Sequence, residues 1–424
     1  MNCRTGLAGR LASRAVTGSP VRVAVFAASP IYYQAPVYRM IVRDAAIDLT
    51  VIFASSEGGT RPFDGGYGKP VDWGVDALGG FKSVFLKNAH ANKPTGFFGL
   101  HDFDVVHELM HGGFDVVWMD GYNSLTHLLV AATQKVRRRP LLVREDRTGL
   151  APRPWWKQAL KQVGLRLVLA NAYALYVGTN NKAWFKKYGV PEERMFFTPH
   201  VVDNDRLGRE RAVLLPERDR LRARFHLPQR KPVIATVSRL FAKKQPLALL
   251  DAYRRVRERH DCALLVVGSG ELEDDMRREV ERRQIRDVHF AGFLDQSQIS
   301  QAYTVADIFA LVSADETWGL VVNEAMNFGL PIVVSDRVGC AADLVSDGEN
   351  GFVVPHDNRE AMAEALATLV RSPRLRARLG AASGARIRAW SYTATAAGVL
   401  DAIAAATGVE RRDLVSERMT SEVA

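Results

Sequence analysis

The 424-residue sequence is poor in cysteine, in long apolar runs and in acids near its start, and each shortage excludes a class of protein. Its three cysteines show no CxxC or Cys/His spacing, which argues against a disulfide framework and a structural zinc site. No apolar run approaches the ~20 residues that cross a bilayer. The first twenty residues contain three arginines but no apolar core of ~7 to 15 residues, so we expect a basic tail rather than a cleaved secretory signal. A reducing cytoplasm fits this composition.

The net charge of +10 is concentrated in one stretch of the chain. This basic stretch, residues 135–166, contains ten basic residues and two acids, and it places Trp155 and Trp156 beside Lys157 and Lys161. Tryptophans next to lysines on a short amphipathic helix are typical of a protein that lies on an anionic membrane surface. The equal alternative is a helix that packs its tryptophans into the domain. Nucleic acid is not an expected partner, because no nucleic-acid-binding motif accompanies the charge.

Strand and helix patterns alternate along the chain in two separate series. The first series begins with an apolar strand at residues 21–27, and the second restarts at residues 233–237 after an arginine- and proline-rich segment. Such alternation predicts an α/β protein of two doubly wound, Rossmann-like domains, with a ligand cleft outside the carboxyl ends of the strands. We therefore divide the chain into a basic tail, a first domain, a linker, a second domain, a C-terminal helix and a tail, at residues 1–20, 21–205, 206–230, 231–388, 389–410 and 411–424.

A polar turn followed by a helix carries the strongest functional signal, in the second domain. The pattern predicts that a helix begins near Gly319, so the backbone N–H groups of Leu320 and Val321 and the helix dipole can face a phosphate. Glu316 then lies in the turn, and Glu324 lies one to two turns into the helix. Two carboxylates so placed can bracket a ligand with an anionic middle and hydroxylated ends, such as a nucleotide diphosphate sugar. Alternatively, Glu316 only caps the helix and Glu324 is an exposed surface residue.

Two cations follow the first strand of the second domain. Arg239 and Lys244 lie just beyond the predicted carboxyl end of this strand, where they can grip both phosphates of a diphosphate leaving group. Phe293 lies in a segment after a later strand, where the backbone can contact a base. Taken alone, the two cations are more readily explained as solvated loop charges. Together with the helix start in the same domain, they indicate an anion-binding site.

In order and spacing, these segments resemble the nucleotide-sugar domain of the retaining glycosyltransferases of family 4, which adopt the GT-B fold. The resemblance is dense over residues 230–360 and thin over residues 199–204, which look like the family's interdomain segment. It rests on these motifs: Ser-Arg-Leu at 238–240 with Lys244, Val-Val-Gly-Ser-Gly at 266–270, Phe-Ala-Gly-Phe at 290–293, Ala-Asp-Ile-Phe at 306–309, Glu316 to Glu324, Gly-Leu-Pro-Ile-Val at 329–333 and Asp-Gly-Glu-Asn-Gly-Phe at 347–352.

The resemblance implies a GT-B fold of two Rossmann-like domains that face a central cleft, and it implies a role for each motif. Arg239 and Lys244 would bind the donor diphosphate, with support from the backbone of residues 319–321. Glu316 would act catalytically on the transferred sugar, and Glu324 would bind the ribose. The family needs no bound metal, because cations neutralise the leaving group instead, so we expect no cofactor beyond the nucleotide-sugar co-substrate. The C-terminal helix would cross back onto the first domain.

The first domain offers weaker candidates for the acceptor or sugar side. Asp120 and Tyr122 follow the end of a predicted strand and are well placed for such a contact. His107, His111 and His127 also lie near the predicted edge of the cleft. We expect each of these histidines to be structural, with its ring nitrogens satisfied inside the domain.

One short motif in the first domain matches a different chemistry. Asp-Phe-Asp at residues 102–104 has the spacing of the metal-binding motif of another class of glycosyltransferase. The surrounding pattern predicts a strand at residues 103–107 and a second one at residues 114–119, which share the string Phe-Asp-Val-Val. Because the motif opens a strand of an α/β pattern, we expect it to bind no metal.

We therefore predict a cytoplasmic glycosyltransferase that moves a sugar from a nucleotide diphosphate sugar to an unidentified glycan, lipid or small-molecule acceptor. Retention of configuration follows from the resemblance alone. Two alternatives stay open: a GT-B sugar-nucleotide epimerase, and a degenerate transferase that acts as a membrane adaptor. An adaptor has no need to retain Arg239, Lys244, Glu316 and Glu324 together. If the basic stretch binds an anionic membrane surface, the enzyme is peripheral on the inner face of that membrane.

Overall fold

The computed structural model describes residues 19–56, 63–64, 69–70, 76–89, 96–150 and 155–414, in which two parallel β-sheets form the centres of two α/β domains. The strands of the first domain are β1 (Val21–Ala27), β2 (Ile47–Phe53), β3 (Phe63–Asp64), β4 (Lys69–Pro70), β5 (Lys82–Phe85), β6 (Val116–Asp120), β7 (Leu141–Glu145), β8 (Tyr173–Tyr176) and β9 (Met195–Phe197). A seven-stranded parallel sheet has the order β5-β2-β1-β6-β7-β8-β9, and β3 pairs with β4 in a small antiparallel hairpin.

Helices cover both faces of the first sheet, which explains why its central strands are apolar along their length. These helices are α1 (Ala35–Asp44), α2 (Asp104–His111), α3 (Leu125–Arg137), α4 (Trp155–Leu169) and α5 (Thr179–Lys187). In β1, Val23 and Val25 belong to the same apolar cluster as Val37 of α1. Ala24 and Phe26 belong to the cluster on the other face, which includes residues of α2 to α5. The alternation of β1 therefore fixes which helices lie on which side.

The second domain repeats this plan with a six-stranded parallel sheet in the order β12-β11-β10-β13-β14-β15. Its strands are β10 (Val233–Val237), β11 (Ala263–Val267), β12 (Val288–Gly292), β13 (Ile308–Leu311), β14 (Ile332–Ser335) and β15 (Gly351–Val354). In both sheets the order reverses next to the first strand, at β1–β6 and at β10–β13, and this is where ligands bind in doubly wound folds. The prediction of two doubly wound, Rossmann-like domains is confirmed.

The segment between the sheets, which the sequence indicates as a linker at residues 206–230, is largely helical. It contains α6 (Asn204–Leu214), a 3-10 turn (Leu215–Glu217) and α7 (Arg218–Arg224). Arg222 of α7 is 3% exposed and donates to the Asp307 carboxylate at 2.6 Å, and Arg218 contacts the same carboxylate at 2.8 Å. The arginines of this segment therefore attach it to the second domain through a shared acid.

Further helices complete the chain: α8 (Pro246–Arg257), α9 (Glu273–Arg282), α10 (Ile299–Val305), α11 (Leu320–Asn327), α12 (Ala341–Leu344), α13 (Arg359–Arg371), α14 (Pro373–Ile387), α15 (Tyr392–Thr407) and α16 (Arg411–Leu414). The helix α15 returns to the first domain, where Thr395 Oγ1 donates to Pro199 O at 2.9 Å and Val399 joins the apolar cluster of β1 and α1. None of the helices in the described ranges is long and apolar enough to span a membrane.

The predicted strand at residues 103–107 is wrong, because this segment begins the helix α2. The carboxylate of Asp102 accepts a hydrogen bond from the backbone N–H of Asp104 at 3.1 Å, as a residue before a helix does. Val105 and Leu109 are buried and four residues apart, whereas Phe103 is 63% exposed. Helical spacing therefore decides this segment, although the same string, Phe-Asp-Val-Val, leads into β6 further along.

Some sequence predictions lie outside the described residues. The basic tail is described only at residues 19 and 20, and the C-terminal tail only up to residue 414. The helix α4 begins at Trp155, but the surroundings of the side chains of residues 155–161, including both tryptophans of the basic stretch, are outside the description.

Candidate active site

The cations and the helix start of the second domain line one cavity of about 330 Å³. The cavity lies where β10 and β13 end, because the chain leaves β10 into the loop of the cations and leaves β13 into the loop that precedes α11. The structure thereby brings together residues that are up to 82 positions apart in the sequence, namely Arg239, Lys244, Glu316, Gly319, Leu320 and Val321.

Two glycines hold the loop that carries Arg239 close to the end of β11. A Cβ at Gly268, where φ is +122°, would lie 1.9 Å from the carbonyl oxygen of Ser238, and a Cβ at Gly270 would lie 2.7 Å from that of Leu240. Backbone hydrogen bonds fix the same contact, since Leu240 N donates to Ser269 O at 2.9 Å. Only glycine allows this approach, so these glycines position the cation loop.

The helix α11 presents its start to the cavity. Gly319 precedes the helix with a φ of +99°, and no side chain caps the helix start among the described residues. A Cβ at Gly319 would lie 3.1 Å from a methyl group of Leu311, so the turn is also tight. The first N–H groups of a helix lack partners within the helix and carry a partial positive charge. This part of the cavity therefore suits an anion.

Lys244 and Glu316 form an ion pair inside the cavity, with side chains that are 14% and 16% exposed. Burial, together with the neighbouring cations Lys243 and Arg239, lowers the pKa of Lys244 to about 8, while Asp315 acts in the opposite direction. The Lys244 ammonium is thus poorly solvated, and it is repelled by two neighbouring cations although it pairs with Glu316. An anionic ligand placed between these cations would relieve that repulsion.

Glu324 lies one turn into α11 but does not line this cavity. It is 4% exposed, so the alternative that it is a surface residue is wrong. Its carboxylate accepts hydrogen bonds from Tyr303 Oη at 2.6 Å and from Gln296 Nε2 at 3.4 Å, and burial raises its pKa. A carboxylate has room for about four hydrogen bonds, so two partners leave capacity for a ligand hydroxyl. Phe293 is half-buried directly after β12 and also lies outside the cavity lining.

Asp120 and Tyr122, the residues predicted for the acceptor side, both contact other side chains of the first domain. Asp120 ends β6 and accepts hydrogen bonds from Trp118 Nε1 at 3.0 Å and from Tyr38 Oη at 3.2 Å. Burial raises the pKa of Asp120. The ring of Tyr122 is buried and stacks on Trp184, with 5.6 Å between the ring centroids. Both residues lie at the carboxyl end of β6, but neither lines the 330 Å³ cavity.

The three histidines near the predicted edge of the cleft, His107, His111 and His127, differ in their surroundings. His127 is 1% exposed, and its ring nitrogens lie 2.6 Å from Ser124 Oγ and 2.8 Å from Asp120 O, so the structural prediction is confirmed. Burial lowers the pKa of His127 to about 4. His107 and His111 lie on α2 with their ring centroids 4.3 Å apart, and the Nδ1 of His111 lies 3.0 Å from His107 O.

Sequence reasoning missed a polar group where the two domains meet. Asp146 follows β7, and its carboxylate accepts a hydrogen bond from Thr317 Oγ1 of the second domain at 2.8 Å. The His200 Nε2 lies 3.8 Å from the same carboxylate oxygen. Burial raises the pKa of the adjacent Glu145 to about 8, with Asp146 adding to the shift. The sequence feature that could have identified this group is the pair of acids, Glu145 and Asp146, at the end of a strand. These acids lie in the basic stretch, whose prediction rested only on its cations and tryptophans.

Comparison with known proteins gives the class of this fold and site. Residues 217–386 match the family model of glycosyl transferases group 1. A D-inositol 3-phosphate glycosyltransferase of Xylanimonas cellulosilytica is 28% identical over 70% of this chain and 73% of its own length. An alpha-D-kanosaminyltransferase of Streptomyces kanamyceticus is 32% identical over 43% of this chain and 47% of its own length. A phosphatidyl-myo-inositol mannosyltransferase of Mycobacterium leprae is 32% identical over 37% of this chain and 42% of its own length.

Solved structures share the fold over nearly the whole chain. Anabaena Alr3699/HepE in complex with UDP and glucose superposes with a TM-score of 0.64 at 17% identity, over 91% of this chain and 99% of that one. A glycosyltransferase from Rickettsia africae superposes with a TM-score of 0.69 at 14% identity, over 92% of this chain and 100% of that one.

Two facing Rossmann-like domains with this match define a GT-B glycosyltransferase. The second domain of the chain matches the glycosyl transferases group 1 family, and the relatives of the chain include family-4-like inositol and mannosyl transferases. The predicted resemblance to family 4 is confirmed, and so is the prediction of a sugar-transferring enzyme.

Proposed function

We propose that this glycosyltransferase takes its sugar from a nucleoside diphosphate sugar, whose diphosphate binds in the 330 Å³ cavity. The observation that carries the proposal is the convergence of Arg239, Lys244, Glu316 and the uncapped start of α11 on that cavity. Arg239 and Lys244 hold the two phosphates, and the N–H groups of Leu320 and Val321 add backbone donors. The solved structure of Alr3699/HepE contains UDP and glucose, which is the ligand chemistry proposed here.

The proposed reaction breaks the bond between the sugar C1 and the β-phosphate oxygen, and the electron pair leaves with the diphosphate. The acceptor hydroxyl oxygen bonds to C1 with retention, and its proton passes to the departing phosphate or to water. Arg239, Lys244 and the start of α11 stabilise the charge that develops on the leaving group, so a metal ion is not required. In the structure the Glu316 carboxylate pairs with Lys244. When the diphosphate binds Lys244, this carboxylate is released and contacts the sugar.

The remaining donor contacts are proposed from the resemblance. Glu324 binds the ribose with the acceptor capacity that Tyr303 and Gln296 leave, and the backbone near Phe293 contacts the base. Asp120 and Tyr122 stay proposed for the acceptor or sugar side. Asp120 is the better placed, because Tyr122 is stacked inside its domain.

We propose a cytoplasmic enzyme that reaches a lipid-borne acceptor at the inner face of a membrane. One relative is named a phosphatidyl-myo-inositol mannosyltransferase. Val136 and Val163 of the basic stretch and the adjacent Leu167 are 76%, 63% and 62% exposed, so apolar side chains accompany the cations on this surface. Such a surface suits anionic lipid. Liposome flotation tests this: replacing Trp155 and Trp156 by alanine should release the enzyme from anionic vesicles, and unchanged binding would contradict it.

A screen of nucleotide sugars by thermal unfolding tests the donor proposal. A donor that binds the folded enzyme raises its melting temperature, by an amount that grows with ligand concentration. Product analysis with an isotopically labelled donor then separates transfer from rearrangement within the donor. Stabilisation by no nucleoside diphosphate or nucleotide sugar in the panel would overturn the assignment of the cavity.

A further inference from the structure

The loop that carries Glu316 contacts the first domain through the residue next to that glutamate. Thr317 Oγ1 donates to the Asp146 carboxylate at 2.8 Å across the domain boundary. His200, also in the first domain, lies on the same carboxylate oxygen at 3.8 Å and has its ring 6.0 Å from that of Trp318. Burial raises the pKa of Asp146, but the nearby His200 ring and the hydrogen bond from Thr317 outweigh burial and hold the pKa well below its usual range.

Backbone hydrogen bonds make the Glu316 loop a firm unit. Glu316 N donates to Arg337 O at 3.2 Å, Gly339 N donates to Glu316 O at 2.9 Å, and Cys340 N donates to Trp318 O at 3.0 Å. A Cβ at Gly339 would lie 1.8 Å from Thr317 O, so the two segments are in direct contact. A side-chain contact at Thr317 therefore fixes the backbone of Glu316 as well.

We propose that Asp146 is a positioning residue, which docks the Glu316 loop onto the first domain through Thr317 and so sets Glu316 against the donor sugar when the domains are closed. This inference rests on the proposed function. Arg239 and Lys244 hold the diphosphate without help from Asp146, because they belong to loops of the second domain. Loss of the Asp146–Thr317 contact therefore slows transfer and leaves donor binding intact.

A second contact across the domains provides a matched control. The Asp343 carboxylate of α12 accepts hydrogen bonds from Thr179 Oγ1 at 2.7 Å and from Thr179 N at 3.0 Å, at the start of α5. Like Asp146, Asp343 is an acid that joins the domains, but within the described residues its side chain makes no hydrogen bond to the Glu316 loop. Asp343→Asn thus weakens domain docking in general, whereas Thr317→Val removes the hydrogen bond next to Glu316 and Asp146→Asn weakens it by removing the charge of the acceptor.

The test measures kcat, donor KM and the ratio of transfer to donor hydrolysis for each variant, after thermal unfolding has shown that it folds. A hydrogen bond to a charged group predicts that Thr317→Val lowers kcat about 10- to 100-fold with little change in donor KM. Thr317→Ser, which keeps the hydroxyl, should recover most of the rate. Asp146→Asn should lower kcat as well, and the double variant should be little slower than Thr317→Val, because both changes act on the same contact.

Three outcomes overturn the inference. In the first, Thr317→Val lowers kcat no more than Asp343→Asn does, which reduces Asp146 to general docking. In the second, Thr317→Ser is as slow as Thr317→Val, which assigns the effect to packing. In the third, the losses from Asp146→Asn and Thr317→Val simply multiply. The proposed function fails separately: if Arg239→Ala binds nucleoside diphosphates as tightly as the wild type, the cavity is not the donor site, whatever Thr317 does.

Discussion

Where the domains meet, the second domain contributes Arg239, Lys244 and the start of a helix, whereas the first domain contributes the acids Glu145 and Asp146 beside a buried histidine, His200. The second-domain side is built from cations and backbone donors, which suit a polyanion whatever sugar it carries. The first-domain side offers carboxylates and aromatic rings, which suit hydroxyl groups rather than phosphate. The comparison teaches that the two sides differ in charge, as the proposed division into a donor side and an acceptor side requires.

The sharpest way to break this comparison is to remove the carboxylate of the second-domain side. We expect Glu316→Gln to lower kcat at least about 100-fold, because an interaction with the reacting sugar is strongest in the transition state. Donor binding should persist, since the cations remain. Steady-state kinetics with a saturating donor measure the effect. Asp315→Asn removes the same charge from the neighbouring exposed residue and should leave kcat close to the wild type. Equal losses in both variants would argue against a specific role for Glu316.

A pH series sharpens the cationic side of the comparison. In the free enzyme burial lowers the pKa of Lys244 to about 8, and an anionic ligand favours its charged form. Affinity for a nucleoside diphosphate should therefore be constant below pH 8 and fall up to about tenfold per pH unit above it. Calorimetric titrations between about pH 7 and about pH 9.5 measure this.

The control for the pH series is Lys244→Arg, which stays charged throughout that range and should flatten the profile. A profile that is already flat in the wild type would mean that Lys244 does not contact the anion.

The smallest expected effect concerns how the two sides are kept together by α15. A Cβ at Gly398 would lie 1.8 Å from Phe197 O of β9, so Gly398→Ala must push the helix off the first sheet. We expect a loss of about 1 to 3 kcal/mol in the free energy of unfolding, measured with denaturant. Gly384→Ala is the matched control, since its Cβ meets no atom closer than 3.7 Å, and it should be neutral or stabilise by up to about 1 kcal/mol. Equal stability of both variants would show that the contact at Phe197 is dispensable.

The two sides also differ in how many of their site residues could be predicted from the sequence. On the second-domain side, Arg239 and Glu316 lie in loops that follow strands of the parallel sheet. Local pattern and parallel topology together therefore predict that these two residues meet at one edge of the sheet. On the first-domain side, Asp146 matters because of Thr317, which is 171 positions away and lies in the other domain. No local sequence pattern can predict a contact between residues so far apart in the chain. The cations around Asp146 indicated a membrane-binding surface instead.

Local pattern failed in a second way at residues 103–107. The short apolar string fits a strand or a helix, and the deciding feature is the helical spacing of Val105 and Leu109, which are both buried. Burial of Glu324 was equally hidden, because the residues that cover it, Tyr303 and Gln296, come from the segment around α10.

Calorimetric titration of uridine and guanosine diphosphates into the wild type and Arg239→Ala tests the central claim, that the second-domain cavity holds the donor diphosphate. The loss of a charged donor to phosphate predicts binding that is about 10- to 100-fold weaker in Arg239→Ala. Arg220→Ala, which removes an 86% exposed guanidinium outside the cavity, should bind as the wild type does. Undiminished binding by Arg239→Ala would contradict the account.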